Sequence, residues 1–520
     1  MTGWNGLYQD LIRDIPHIAA TSPLMLFGLS ACVDARLFAH ELEPLLTSGM
    51  PKAVAFVEMV KDRIRRGIGG EVRIDWPDGP AWLARHVPVT YALGGAGPQA
   101  AWSLAAIGAP VLIALEDRDT HKLKQIHPEI LIAEDGTARR AADIVPRGRR
   151  QPELFIVEYT SGLAIGGVTP KRSSRIIVRF HDPGVEHDTE FEKLSIALAP
   201  QAGAGLISGF HSIPFDGIDS EVAPVRRLIE QWRVAGVQTI HLELAGYDTP
   251  RHRDRVIERF KGAITSLGMS HSEFSQIMPD TSDPAKSMGE LGTKLGLDRV
   301  CVHADHWAAT ATRGDPEKER LALLMGCLLA GTRAAHGVPT YPQAIPAAAT
   351  FTDPPFPPFV RQGAWSLVSC AAPHLSQPKA TVGLGDSFTG GCLLMLGRRV
   401  VSERTDIVVA LKQLVSREAG VDTARIFEHS RLYQDFGIAG DDIGDILQGI
   451  VVRWGTDFSD LVRANYSPTE QQIGNPFRMI ESFFTDVSSQ YRELTVGRLA
   501  DAIVAGKWVE CPANEEVISG

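Results

Sequence analysis

The sequence predicts an α/β protein built on a wound, mainly parallel sheet with helices on both faces. Two observations predict it. Short, nearly continuous apolar runs recur along residues 1 to about 400, and amphipathic stretches of helical period separate them. Strands buried on both faces read as unbroken apolar runs, and the helices that connect parallel strands cover those faces. Right-handed crossovers then place all the strand C-termini, and the ligand crevice, on one edge.

The elements follow in chain order. Residues 24–28 read as the first buried strand, and Ser30 to Asp34 as the loop after it, the usual place for a substrate contact in a wound sheet. Residues 154–159 and 175–180 flank a glycine-rich turn as an antiparallel pair; with 71–76 they predict a small inserted sheet. That sheet makes a lid over the crevice, drawn from about 40–92 and 150–185. Gly94-Gly95-Ala96-Gly97-Pro98 opens a helix over 99–107. Strands follow at 111–115, 205–208, 239–244 and 299–303, with helices over 222–235 and 251–267. Beyond about residue 400 helical patterns recur at 407–419, 442–454 and 494–505. The reading is therefore two domains, 1–400 and a mostly helical 401–520.

Composition bounds the function. Of 520 residues 44% are apolar and 22% charged, as in a soluble globular protein. The net charge of −10 argues against a nucleic-acid backbone binder. Residues 401–520 carry most of it, with 19 acidic against 11 basic side chains. No apolar run is long enough to span a membrane, and no basic, then apolar leader opens the chain. Six scattered cysteines without a CxxC pair fit a reduced, cytoplasmic protein.

The most informative stretch is Thr381-Val382-Gly383-Leu384-Gly385-Asp386, which runs into the apolar 392–396. It reads as a tight turn feeding a helix N-terminus, whose free amides attract anions. Asp386 beside such a cradle can take the proton of a hydroxyl that attacks phosphorus; an ordinary turn with a helix cap is the plain alternative. His241-Leu242-Glu243 ends a predicted central strand, so Glu243 lines the crevice, where a hydrated Mg²⁺ would accept it, or simply reaches solvent. Ser270 to Glu273 reads as a capping box, with Glu273 alternatively a second carboxylate near the metal. Asp34 suits sugar hydroxyls or a helix cap, and Gly95 suits an amide clamp or a plain loop. His303-Ala304-Asp305-His306 reads as structural, because strand alternation splits the two histidines.

In this order the pieces resemble the ADP-dependent glucokinase and phosphofructokinase family, a branch of the ribokinase-like superfamily. The resemblance covers about residues 20–398. It is carried by Ala31 to Asp34, Gly94 to Gly97, Phe155 to Tyr159, His241-Leu242-Glu243, Ser270 to Glu273 and Pro378 to Asp386. It implies a ribokinase-like fold and a Mg²⁺-dependent sugar kinase with ADP as phosphoryl donor, ATP being the alternative. Asp386 would be the base, with Gly383 and Gly385 in the anion hole. Thr381, Val382, Gly383 and Leu384 would contact the nucleotide, and Glu243 with Glu273 would organise Mg²⁺ through water. Asp34, Glu71, Gly95 and Glu158 would meet the acceptor.

Departures from the family pattern bear on the acceptor. Ser270 replaces the Asn of Asn-x-x-Glu. Cys32, Ala96 and Leu154 stand where polar residues are common, and each lost hydrogen bond is worth about 1 kcal/mol. Glucose is therefore disfavoured. Arg172, Arg175 and Arg179 would hold a phosphorylated substrate, although a solvated strand edge is the stronger reading. The C-terminal domain resembles a small bacterial family of acyl-carrier-like helical proteins, through 431–442, 494–499 and Gly506-Lys507-Trp508. Asp441 and Asp442 occupy the place of the carrier serine, which points to docking or regulation by a protein partner. The rivals are an ATP-dependent sugar or nucleoside kinase of the same fold, and a non-catalytic scaffold acting through the C-terminal domain.

Overall fold

The computed structural model describes residues 2–181, 184–279, 283–398, 403–454, 456–468 and 490–508. The chain divides into two compact units, Met1–Arg399 and Val400–Gly520.

The first unit holds an eleven-stranded sheet. From one edge its strands are Phe359–Gln362, Trp365–Ala371, Trp307–Thr312, Arg299–His303, Ser266–Ser270, Thr239–Glu243, Ala202–Ile207, Leu24–Phe27, Val111–Ile113, Leu131–Glu134 and Thr137–Arg140. Those from Arg299–His303 to Leu131–Glu134 are parallel, and antiparallel strands finish both ends. Alternation sends successive side chains to opposite faces. Met25 and Phe27 accordingly join the core with the helices Ala96–Ala105, Pro316–His336 and Leu384–Gly397. Leu26 joins the other, with Trp232 and Phe260 from the helices Ile218–Val234 and Pro250–Phe260.

The antiparallel return at 304–306 decides where the site falls. Arg299–His303 runs to the active edge, Trp307–Thr312 runs away from it, and Pro316–His336 brings the chain back. Trp365–Ala371 also ends at that edge, so the helix Leu384–Gly397 starts there. One helix C-terminus and one helix N-terminus thus meet beside the ends of the parallel strands.

Five strands form the smaller sheet, in the order Gly70–Arg73, Ser174–Arg179, Leu154–Tyr159, Cys32–Phe38, Thr90–Gly94. Ala35 and Leu37 point into its own core against the helix Pro51–Arg65, together with Phe155 and Val157. Cys32, Asp34 and Arg36 therefore point the other way.

Three expectations need correcting. Residues 32–34 are not a loop after the first strand; they begin a lid strand paired with Thr90–Gly94 and Leu154–Tyr159. The helix expected over 251–267 stops at Phe260, and Ser266–Ser270 is a parallel strand of the large sheet. The arginine-bearing strand Ser174–Arg179 lies inside the lid sheet, not at its edge, and Arg179 is only 4% exposed.

The second unit is helical, with Glu403–Ala419, Asp441–Trp454 and Val496–Ala505 around a core that includes Leu411, Ile446, Leu499 and Trp508. Asp441 and Asp442 are exposed in the first turn of their helix. No helix among the described residues is long and apolar enough to cross a membrane.

Candidate active site

Asp386 lies in the first turn of Leu384–Gly397, capped by Gly383 at φ +74°. A left-handed residue there is what lets the loop turn sharply into the helix. Two side chains flank the turn, a guanidinium and an imidazole. A Cβ on Gly383 would stand 2.3 Å from the Arg333 guanidinium carbon, and one on Gly385 would stand 2.9 Å from His303 Cε1. The amides of a helix start are thus bracketed by Arg333 on one side and His303 on the other, an arrangement suited to an anion. Burial pushes the Asp386 carboxyl above its usual range; Arg333 opposes the rise and Glu243 adds to it. Asp386 is therefore a stronger proton acceptor than an exposed aspartate.

Glu243 ends its strand buried and held on both oxygens. His241 Nε2 donates to Oε2 at 2.8 Å, Thr389 Oγ1 donates to Oε2 at 3.1 Å, and His303 Nε2 faces Oε1 at 3.3 Å. Since a carboxylate only accepts, the His241 proton sits on Nε2, and Nδ1 is left to accept from Ser266 Oγ at 2.7 Å. Burial pushes Glu243 up, but the bonds from the two histidines outweigh it and hold the carboxyl at about 2. Burial lowers His241, whereas the Glu243 contact prevails over burial at His303 and raises it.

Glu273 forms the capping box expected of it: its Oε2 accepts from the Ser270 amide at 2.7 Å and from Ser270 Oγ at 2.8 Å. Its charge also acts on His303, as does that of Glu243. The strands that carry Glu243, Ser270 and His303 are consecutive neighbours, so the two glutamates share the crevice through His303. Among the described residues no group of three or more His, Cys, Asp and Glu is assembled to cage a metal ion. Two glutamates already engaged in hydrogen bonds, Glu243 on both oxygens and Glu273 on Oε2, suit a Mg²⁺ that keeps its waters.

On the lid side, Asp34 is 4% exposed and is pushed up to about 7 by burial, with Arg36 and Arg333 opposing and Asp386 adding to the rise. Glu71 pairs with Arg179 at 2.7 Å and His211 at 3.3 Å. Burial pushes its carboxyl up, and its neighbours His211, Arg179 and Arg175 more than cancel that. Glu158 is taken up differently from an acceptor contact. Arg36 holds one oxygen, with Nε at 2.9 Å, and Thr381 donates its amide at 3.0 Å and its hydroxyl at 3.3 Å to the other. A cleft of about 270 Å³ opens beside this junction, lined by Arg36, Phe38, Thr90, His336 and Lys379 among others. Gly95 caps Ala96–Ala105 at φ +90°, packed on the Ser30 carbonyl, while Val382 is buried and Leu384 half-buried. Arg172 stays outside, bonded to the Gly67 carbonyl.

Sequence reasoning missed Arg333, Arg36 and Thr389 and set His303 aside as structural. The signal for Arg333 was an arginine set in the apolar run 321–334. A charge in such a run needs a partner.

A family model described as the ADP-specific phosphofructokinase/glucokinase conserved region matches residues 52–353, ending ahead of Asp386. No curated protein matches the chain. Among solved structures, an ADP-dependent kinase in complex with fructose-6-phosphate and ADPβS aligns at TM-score 0.65 and 16% identity, covering 78% of this chain and all of that one. The last common ancestor of ADP-dependent phosphofructokinases from Methanosarcinales aligns at 0.58 and 16%, covering 77% and 99%. A hypothetical ADP-dependent phosphofructokinase from Pyrococcus horikoshii OT3 aligns at 0.57 and 17%, covering 72% and 98%. At these identities the structural likeness speaks for the fold.

Proposed function

This chain belongs to the ADP-specific phosphofructokinase/glucokinase family, a family of ADP-dependent sugar kinases, and from that premise we propose how its own residues act. The reaction is transfer of the terminal phosphoryl group of ADP to a hydroxyl of a sugar or sugar-like molecule. Asp386 takes the proton of that hydroxyl as the oxygen attacks phosphorus, and the bridging P–O bond breaks to release AMP. The amides from Gly383 to Gly385 face the charge that spreads over the transferred oxygens. Glu243 and Glu273 would hold Mg²⁺ through its waters, and the ion, when bound, neutralises phosphate charge. Asp34 and Glu71 meet the acceptor from the lid, and Glu158 positions Thr381 for the nucleotide. Positioning and charge neutralisation do most of the work in this chemistry.

One observation carries the reading: a half-buried carboxylate, Asp386, in the first turn of a helix whose opening loop lies between Arg333 and His303. The second unit is read as an acyl-carrier-like docking or regulatory element. Its support is a core of its own and the exposed Asp441 and Asp442 at a helix start. Incubation with Mg²⁺, ADP or ATP and a panel of sugars, sugar phosphates and nucleosides tests the proposal beside Asp386→Asn. Turnover with ADP that the variant loses supports it. Preference for ATP overturns the donor, and nucleotide binding without turnover on any acceptor favours the scaffold.

A further inference from the structure

Arg333 takes no step in the reaction assigned above, yet it lies against the loop that opens the Asp386 helix. It sits in the last turn of Pro316–His336 and is 3% exposed. Its hydrogen bonding is thin: Nη1 donates to Ser387 Oγ at 3.3 Å, and Nε has no hydrogen-bond partner. A guanidinium has five donors to satisfy, so bonding alone does not explain why this one is buried. Charge does. Asp386, Asp34 and Glu158 favour the cation and Arg36 opposes it; burial lowers Arg333 to about 10, which leaves it charged at neutral pH.

The three carboxylates come from separate elements: Asp386 from the helix after the glycine loop, Asp34 and Glu158 from two lid strands. Arg333 is the cation that all three share. Asp386 adds to the rise at Asp34, burial and Glu243 raise Asp386, and Arg333 opposes the rise at both. The groups acting on Asp386 are Arg333 from its helix, Glu243 and His303 from strand ends, and Arg175 from the lid. Of those that keep the proton off, Arg333 acts most strongly. Gly383 lies directly against its guanidinium carbon, so the positive charge stands immediately behind the amide cradle.

Resting on the reading of Asp386 as base, we propose that Arg333 is a positioning residue for phosphoryl transfer: it backs the Gly383 cradle with a fixed positive charge and lets the acids Asp34 and Asp386 share one crevice. A planar, permanently charged group is suited to this, because it can lie flat on the loop while facing carboxylates on two sides.

The test uses the full chain with Arg333→Met, of similar length without charge, and Arg333→Lys, which keeps the charge without the plane. Arg333→Met should lower kcat about 100-fold, the usual loss when a preorganised charge at such a site is removed. It should also move the acid limb of kcat/KM to higher pH. Arg333→Lys should return that limb to its wild-type position while recovering only part of kcat. Affinity for ADP alone, by calorimetry, should fall about tenfold in Arg333→Met. That titration needs no acceptor. If the wild-type chain phosphorylates nothing, the kinase reading falls while the ADP titration still decides the role of Arg333. Wild-type ADP affinity in Arg333→Met overturns the inference. So do equal losses in both variants with the acid limb unmoved, the mark of a merely structural arginine.

Discussion

Thr381 gives both its amide and its hydroxyl to one oxygen of Glu158, at 3.0 and 3.3 Å, while Arg36 holds the other. The lid sheet is in this way fastened to the loop that leads into Gly383 by a single carboxylate, 4% exposed. The lid sheet and the Thr381 loop therefore move together, or one of these bonds breaks.

Glu158→Gln keeps the shape of that junction but removes its charge. Charge-assisted hydrogen bonds are worth about 1.5–3 kcal/mol, so ADP affinity should fall about tenfold as the Thr381 loop loosens. Calorimetric titration with ADP checks it; an unchanged affinity would separate the lid from the donor loop.

The rate should depend on pH through Asp386. The base works as the carboxylate, and burial raises its proton affinity. Activity should hold on the alkaline side and fall on acidification through a pKa above the ordinary aspartate value of about 3.9. A pH–rate profile reads it directly, and an acid limb at the ordinary value would count against a half-buried base. Asp386→Asn should remove the limb and lower kcat roughly 1,000-fold.

Asp34 should weaken the fold at alkaline pH. Its carboxyl is pushed up to about 7 in the folded protein, so the folded state holds a proton that the unfolded chain has released by pH 5. Stability is lost as pH climbs from about 4 towards 7 and stays lost above that. Asp34→Asn should consequently raise the melting temperature at pH 8 by roughly 2 °C or more, with little change at pH 4. Equal shifts at both values would show that ionisation is not the cause.

Gly383→Ala faces two penalties. The left-handed backbone costs a residue with a Cβ about 1–2 kcal/mol, and the new methyl would meet the Arg333 guanidinium at 2.3 Å. Thermal melting should show a modest loss of stability, and ADP binding a larger one, because the cradle itself must shift. Retained affinity would place the anion elsewhere.

What the sequence disclosed was local. Glycines around one carboxylate before an apolar run single out Asp386 as a candidate, and a strand ending in His-x-Glu singles out Glu243. Long-range pairings left no such trace. Arg333 belongs to the site only because an antiparallel return brings the end of its helix to the active edge. Ser266–Ser270 was hidden by Gly268, a residue that weakens a strand signal. In the folded chain a Cβ at 268 would stand 2.2 Å from Glu243 Oε2 and 2.4 Å from His241 Nε2, so the site itself demands the residue that obscured the strand. His303 was set aside because alternation separates it from His306. Its partner lies two strands away, on Glu243. Burial of Arg179 likewise depends on Glu71, far off in sequence.

The interleaving of Arg36, Arg333 and Arg179 with Glu158, Asp34, Asp386 and Glu71 has a kinetic consequence. Cations matched by neighbouring anions project little field beyond a Debye length, about 8 Å at physiological ionic strength. Residues 401–520 carry 19 acidic against 11 basic side chains, which leaves residues 1–400 nearly neutral, with 43 against 41. The first unit by itself therefore neither draws in nor turns away a nucleotide from a distance, and its contribution to the association rate should change little with added salt. The charges would act only at contact, on a molecule that has already arrived.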